Sequence, residues 1–404
     1  MTYPRTSQSA RRHHPMRLLA ALSGGVSLVW ALGAVAPAEV LAAGHPMAGG
    51  ATGPGGRVTT GARAVPETAY VVDTAIPGTV TPIDTATNRP KKAIKVGGNP
   101  DAIVFTPGGG TAYIANANSG TVTPISTATN SAGPPIPVGA FPDAMAITPD
   151  GKTVYVANAN SNTVTPINTA TNKPGPAIKA GSAPAAIAIT PDGRTAYVVD
   201  GGSGRVRPIT IATNKPGTPI TVGPLTSDPT AIAITPDGST AYVASFVAGT
   251  VTPINLATNT AGTPITVGTG PDWVTITPDG TTAYVVSEES GTVTPISTAT
   301  NKPGPAIKVG NVPDFMAITP DGTMAYVPNG GSGTVTPIST ATNKPGPAIK
   351  VGINPAMIAI TPNGRTAYVT DSGSAQVTPI STATNKPGPA IPVGHDPIEI
   401  AITP

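Results

Sequence analysis

The chain has 404 residues, 47 of them Gly, 49 Pro and none Cys, which excludes disulfides, thiolate metal sites, a cysteine nucleophile and a lipid-modified N-terminal cysteine. The formal charge of +3 arises at the start of the chain: residues 1–38 hold four Arg and no acid, and the remainder carries 19 Lys+Arg against 20 Asp+Glu. A near-neutral body gives no general case for nucleic-acid binding.

In chain order, Arg5, Arg11, Arg12 and Arg17 precede an uncharged apolar run over residues 18–36, and Ala36-Pro37-Ala38 offers a small-residue cleavage site. That order reads as an export signal over 1–38, with an uncleaved anchor helix as the alternative because the apolar run is long. Arg11-Arg12 is a weak twin-arginine signal, since His13-His14 follow. Either way the body is expected outside: secreted or attached to the cell envelope, touching a membrane only through that helix. Residues 39–65 are rich in Gly, Ala and Thr without periodicity and read as a flexible linker.

From residue 66 to 404 the chain repeats. Every tyrosine except Tyr3 belongs to one series: Tyr70, Tyr113, Tyr155, Tyr197, Tyr242, Tyr284, Tyr326 and Tyr368. The steps are 43, 42, 42, 45, 42, 42 and 42 residues. A fixed period of about 40–45 residues built from short strands predicts an all-β propeller with one four-stranded blade per repeat. The first strand is of the Ala-Ile-Ala-Ile-Thr type, apolar on both faces and so covered on both. A Pro-Asp-Gly turn leads to a Tyr-Val strand, then Thr-Val-Thr-Pro-Ile, then Ala-Thr-Asn-Lys-Pro-Gly and a short outer strand. The third-strand proline (for example Pro295 and Pro337) cannot donate to a ladder, which predicts that the third strand leaves the second there and the outer strand barely pairs. The body opens on a Tyr-Val strand near Ala69 and closes on an inner-type strand over 398–403. The C-terminal strand is therefore expected to complete the N-terminal blade and close a ring of eight. A seven-bladed ring is the alternative.

Tyr368-Val369-Thr370-Asp371, Tyr155-Val156-Ala157-Asn158 and Tyr113-Ile114-Ala115-Asn116, each after a Pro-Asp-Gly-type turn, resemble the YVTN-repeat β-propeller family over about residues 66–404. The resemblance implies an exported or surface-associated propeller and no single activity. Known members are commonly seven-bladed, so eight repeats depart from the usual number.

The loops from second to third strand share a face with those leading into the first strand, and both length changes fall there: one residue within 73–78 and three within 224–228. Divergent loops on a fixed scaffold are expected of a binding face; drift on a solvated face is the plainer reading. The unusual residues there gather in one sector: Asp228, Phe246, Trp273, Glu288, Glu289 and Phe315 are candidate ligand-binding residues. For Trp273 and Phe315 packing between blades competes with that role. Asp101, Asp143, Asp272 and Asp314 follow a Pro at the channel mouth, where carboxylates can hold a cation. Ala185, Thr230, Ala356 and Ile398 interrupt their ring, so Asx turns are the expected role, with no metal and no cofactor. On the opposite, uniform face Arg89, Lys173, Lys215, Lys302, Lys344 and Lys386 form a nearly complete basic ring. It suits an anionic envelope polymer, lacks aromatic platforms for single-stranded nucleic acid, and is also simply the duplicated turn. With two histidines in the body, His45 and His395, no Ser-His-Asp constellation arises, and adjacent Glu288 and Glu289 are expected to point apart. The expected function is a monomeric, non-enzymatic binding module for a protein, peptide or glycan, used from its variable face. The alternatives are a lactonase- or lyase-like hydrolase and a passive surface-layer spacer.

Overall fold

The computed structural model describes residues 67–74 and 77–404; the expected export signal over 1–38, the expected linker over 39–65 and part of the 73–78 loop lie outside them. Short strands rich in Val, Ile, Thr and Tyr fold into eight antiparallel sheets. These are the eight blades of one ring, which removes the seven-bladed alternative. Blades are numbered here by innermost strand: Pro397–Ile402 (blade 1), Pro100–Phe105 (2), Pro142–Ile147 (3), Pro184–Ile189 (4), Pro229–Ile234 (5), Pro271–Ile276 (6), Ala317–Ile318 (7) and Pro355–Ile360 (8). In blade 1 the last strand of the chain pairs with Thr68–Asp73, matching Ala69 to Ile402 and Val71 to Ile400, so the ring closes as expected.

The Pro-Asp-Gly turn locks each inner hairpin locally. In blade 4 Gly193 takes φ +68°, which a side chain would resist, and its amide donates to the Thr190 carbonyl at 2.8 Å. The Thr190 hydroxyl donates to Asp192 at 2.6 Å, and the same carboxylate accepts the Arg194 amide at 3.0 Å. Those hydrogen bonds hold Asp192 below the ordinary carboxylate range.

The third-strand proline behaves differently from the sequence expectation. The third strand does not leave the second: Pro295 stays in register with Tyr284, and all six residue pairs of the ladder form. The Pro295 carbonyl accepts the Gly304 amide at 2.7 Å, so this residue's missing N–H also faces outward. There the outer strand is split into Lys302–Pro303 and Ile307–Lys308, which leaves no acceptor wanting a donor. The expected weak pairing of the outer strand is thus present, and this split is its cause.

Blades are tied together by the tyrosines. Each ring is buried in the core, and each hydroxyl donates to the Asn of the next blade's Thr-Asn turn: Tyr284 to Asn343 at 2.5 Å, Tyr326 to Asn385 at 2.7 Å. The series closes on itself, because Tyr368 of blade 8 reaches Asn88 of blade 1 at 2.6 Å. Burial pushes Tyr368 up to about 12. Among the described residues no helix is long and apolar enough to cross a membrane.

Candidate functional site

The variable face is built by one backbone device repeated eight times. Each loop entering an innermost strand ends in a left-handed residue, among them Asp228, Gly270 and Val312 at φ +50°, +65° and +54°. Its carbonyl accepts an amide of the loop after the second strand: Asp228 from Phe246, Gly270 from Glu288, Val312 from Gly330, each at 2.8 Å. A proline follows. Because it cannot donate, the ladder slips by one residue, and Asp101, Asp143 and Asp272 each occupy the bulge. A bulge re-aims its side chain, and that feature of these aspartates was hidden in the sequence, where alternation alone sets direction.

Blade 7 departs furthest. After a lone bridge between Pro313 and Asn329 its inner ladder resumes only at Ala317, leaving Asp314 and Phe315 outside it. Val312, β-branched and left-handed, precedes the break, a costly conformation for such a residue.

The four channel-mouth aspartates separate into two groups on opposite sides of the ring. On one side Asp101 and Asp143 are fully buried, and among the described residues none of their carboxylate oxygens meets a hydrogen-bond donor. The Asx-turn expectation therefore fails for this pair. The two carboxyls are close enough to perturb each other's titration. Burial raises both above the ordinary range, and the charge of Asp101 raises Asp143 further. Glu399 of blade 1, equally buried, is raised by burial and then by Asp101. Sequence reading missed Glu399, which is one residue off the channel-mouth position. Its signal was an acid in a strand otherwise written Ile-x-Ile-Ala-Ile.

On the other side Asp272, Glu288 and Asp314 converge, each offering one oxygen within 4.8 Å of the others. Asp272 is buried and the other two are half-buried. The sequence had assigned Glu288 to the variable loops and the aspartates to the channel; the structure merges them into one acidic site. Its oxygens come from two blades, with the spacing a hard cation or a charged amino group requires. Glu289 is exposed and not part of that cluster; it lies beside Gly270, where a Cβ would be 2.7 Å from its Cγ and 3.1 Å from Cζ of Phe246. Phe246 of blade 5, half-buried, thus reaches over the start of blade 6. Asp228 ends the loop that carries three extra residues within 224–228, and Leu225 there is exposed.

Trp273 and Phe315 are not surface anchors. They are 7% and 4% exposed and pack against each other with ring centroids 4.3 Å apart. The packing alternative accounts for both. Among the described residues the exposed large apolar side chains are instead Leu225, Val247, Val312 and Ile353, all in loops of the variable face from blade 4 to blade 8. Two surface hollows, one lined by Thr195, Pro208 and Thr258 and one by Asp150, Lys152 and Asp192, include none of the candidate residues.

No family model matches the chain, and no curated protein matches it. Solved structures do. The hydrazine synthase of Kuenenia stuttgartiensis is 25% identical over 70% of this chain and 96% of its own, with a TM-score of 0.59. The dihydro-heme d1 dehydrogenase NirN, in complex with DHE, is 17% identical over 84% of this chain and 76% of its own, TM-score 0.73. A putative 6-phosphogluconolactonase from Bacteroides fragilis is 18% identical over 84% and 98%, TM-score 0.57. The likeness is one of fold, and that fold carries enzymes and other proteins alike.

Proposed function

We propose that this chain is an exported, non-enzymatic binding module of the YVTN type, and that its ligand is a peptide or protein segment carrying a cationic group beside apolar side chains. The observation that carries the reading is the convergence of Asp272, Glu288 and Asp314 within 4.8 Å on the variable face. Three carboxylates that close favour a positive partner, and Leu225, Val247, Val312 and Ile353 supply apolar surface in the same layer of loops. Phe246 is the anchor expected at the rim. A hydrolytic role finds less support: the carboxyls with raised pKa, Asp73, Asp101, Asp143, Asp200, Asp371 and Glu399, are at most 2% exposed, out of a substrate's reach.

Peptide, glycan and oligonucleotide arrays probed with the purified protein test this. Basic-apolar peptides are expected to bind. Phe246→Ala and Glu288→Ala should each weaken that binding by about 1–3 kcal/mol, typical of an anchor residue. Trp273→Ala should lower the melting temperature while leaving binding per folded molecule intact. Ca²⁺ and spermidine titrations separate a bare cation from a peptide as the source of charge. A peptide held as tightly by the Phe246→Ala, Glu288→Ala double variant as by the parent would remove this site from consideration.

A further inference from the structure

The outermost strands of the propeller carry a charge segregation that the variable-face reading does not use. Residues 67–404 contain 17 Lys and Arg and 19 Asp and Glu. Twelve of the cations fall in the eight outermost segments, between the Asn of each Thr-Asn turn and the end of the outer strand, and none of the acids does. All twelve are exposed. The ion pairs formed in the turns, Lys152 with Asp150 at 3.0 Å and Arg194 with Asp192 at 3.7 Å, lie on the inner hairpins instead.

The cations are also unevenly spread around the ring. Blades 2 and 5 have none on their outer strands, where Ser131 and Thr260 replace the lysine. Blades 6, 7, 8 and 1, half the ring and contiguous, hold nine. Strand register places them in two rows. Lys302, Lys344, Lys386 and Arg89 pair with the ends of the third strands, at Ser297, Ser339, Ser381 and Asp84. Lys308, Lys350 and Lys95 pair with the beginnings, at Thr292, Thr334 and Thr79. Five residues of strand, about 17 Å, separate the rows. Asp84 is the one acid among these register partners, and its carboxylate accepts the Ala86 and Thr87 amides.

We propose that this arc is a docking track for a flexible linear polyanion with phosphodiester- or polyphosphate-type charge, wound along the outside of blades 6, 7, 8 and 1. The rim of a ring is convex, so a planar membrane meets only one or two blades at a time, whereas a flexible chain follows all four. Eleven of the twelve cations are lysines, point charges on long stems that suit repeated anions without demanding one bidentate geometry. None of the outer segments contains an aromatic residue, so the track reads charge and offers no platform for bases. This site is separate from the acidic site on the variable face, and either stands without the other.

The test is binding of the full chain to long-chain inorganic polyphosphate, followed by fluorescence anisotropy across a salt series. Binding should weaken linearly in log–log terms as salt rises, from about 50 to 300 mM. The variant Lys302→Gln, Lys344→Gln, Lys386→Gln, Arg89→Gln should bind about tenfold more weakly with a shallower salt slope. The variant Lys152→Gln, Arg194→Gln, Arg365→Gln, which loses charge from the inner turns, should bind like the parent. Melting curves confirm that both variants fold. Four results would overturn the proposal: no polyphosphate binding at low salt, equal losses in the two variants, anionic vesicles bound as tightly as the polymer, or oligothymidylate preferred over polyphosphate of equal charge.

Discussion

A carboxyl group sealed from water with no donor in reach holds its proton at pH values where an exposed one has long released it. Asp101 and Asp143 are in that position, Glu399 is as deeply buried with its Oε2 unpartnered, and burial pushes Asp73 up to about 6 as well. Their folded-state pKa values lie above the unfolded ones, so the folded chain binds more protons in between. Stability from these groups is complete below about pH 4, the unfolded carboxylate value, and is lost as pH rises through the folded values. The exposed turn aspartates work the other way: Asp150 is held at about 2 by its bonds from Thr148 and Lys152, and loses its contribution only in strong acid. The melting temperature should therefore peak in mild acid and fall toward neutrality and beyond. Asp101→Asn should raise it by a few degrees at about pH 8 and change it little at about pH 4.5. A parent profile that is flat over that interval, measured by calorimetry, would contradict the protonated pair. None of this was legible in the sequence. Proline at the mouth of each inner strand was visible, but the bulge it forces, and hence which aspartates turn inward together, depends on ladder register.

At the scale of the strand and its loops, the repeat shows where the molecule relaxes its own rule. In blades 2, 3 and 7 the second strand ends in Asn116, Asn158 or Asn329, whose side-chain oxygen accepts the amide of Gly97, Gly139 or Gly310 at 2.9–3.1 Å. Its amide group donates to two threonines of the third strand. Blades 5 and 6 have Ser245 and Ser287 there, too short to span the gap. The Ser287 and Thr294 hydroxyls are buried without hydrogen bonds, while Thr252 of blade 5 finds the Val222 carbonyl at 2.8 Å. The clamp is thus missing beside Phe246 and Glu288, in the sector where the loops are longest. Ser287→Asn should restore it, because the neighbouring Gly268 leaves the same close approach as Gly97. The expected gain is about 0.5–1.5 kcal/mol per hydrogen bond formed, read in denaturant unfolding. Ser245→Asn should gain less, since Thr252 is already satisfied. A Ser287→Asn chain no more stable than the parent would mean that the loop cannot take up the clamped form. The sequence did reveal this sector, through its departures from its own repeat. It could not reveal that Glu288 meets Asp272 and Asp314, which lie 16 and 26 residues away in the chain.

For the whole molecule, the argument turns on closure. The 42-residue period, the opening Tyr-Val strand and the final apolar strand were enough to read a ring of eight, because each repeat buries its faces only against its neighbours. That makes blade 1 the single blade assembled from both ends of the described chain. Its inner strand fixes the Thr68 amide to the Thr403 hydroxyl and the Thr403 amide to the Thr68 carbonyl, each at 3.0 Å. Deleting residues 398–404 removes buried Ile398 and Ile400, worth about 3–6 kcal/mol together, along with the ladder to Thr68–Asp73. A typical domain has only about 5–15 kcal/mol in total. The deletion also bares an apolar edge over Tyr70–Val72, the kind of strand that pairs with another molecule. The truncated chain should melt far below the parent and run as oligomers or aggregate on size exclusion, whereas deleting residues 39–60 should change neither property. Because the truncation also removes Glu399, which costs stability near neutral pH, full-length Glu399→Gln is the matched control and should be at least as stable as the parent. A truncated chain that stays monomeric and melts within a few degrees of the parent would show that the other seven blades hold the ring without its closing strand.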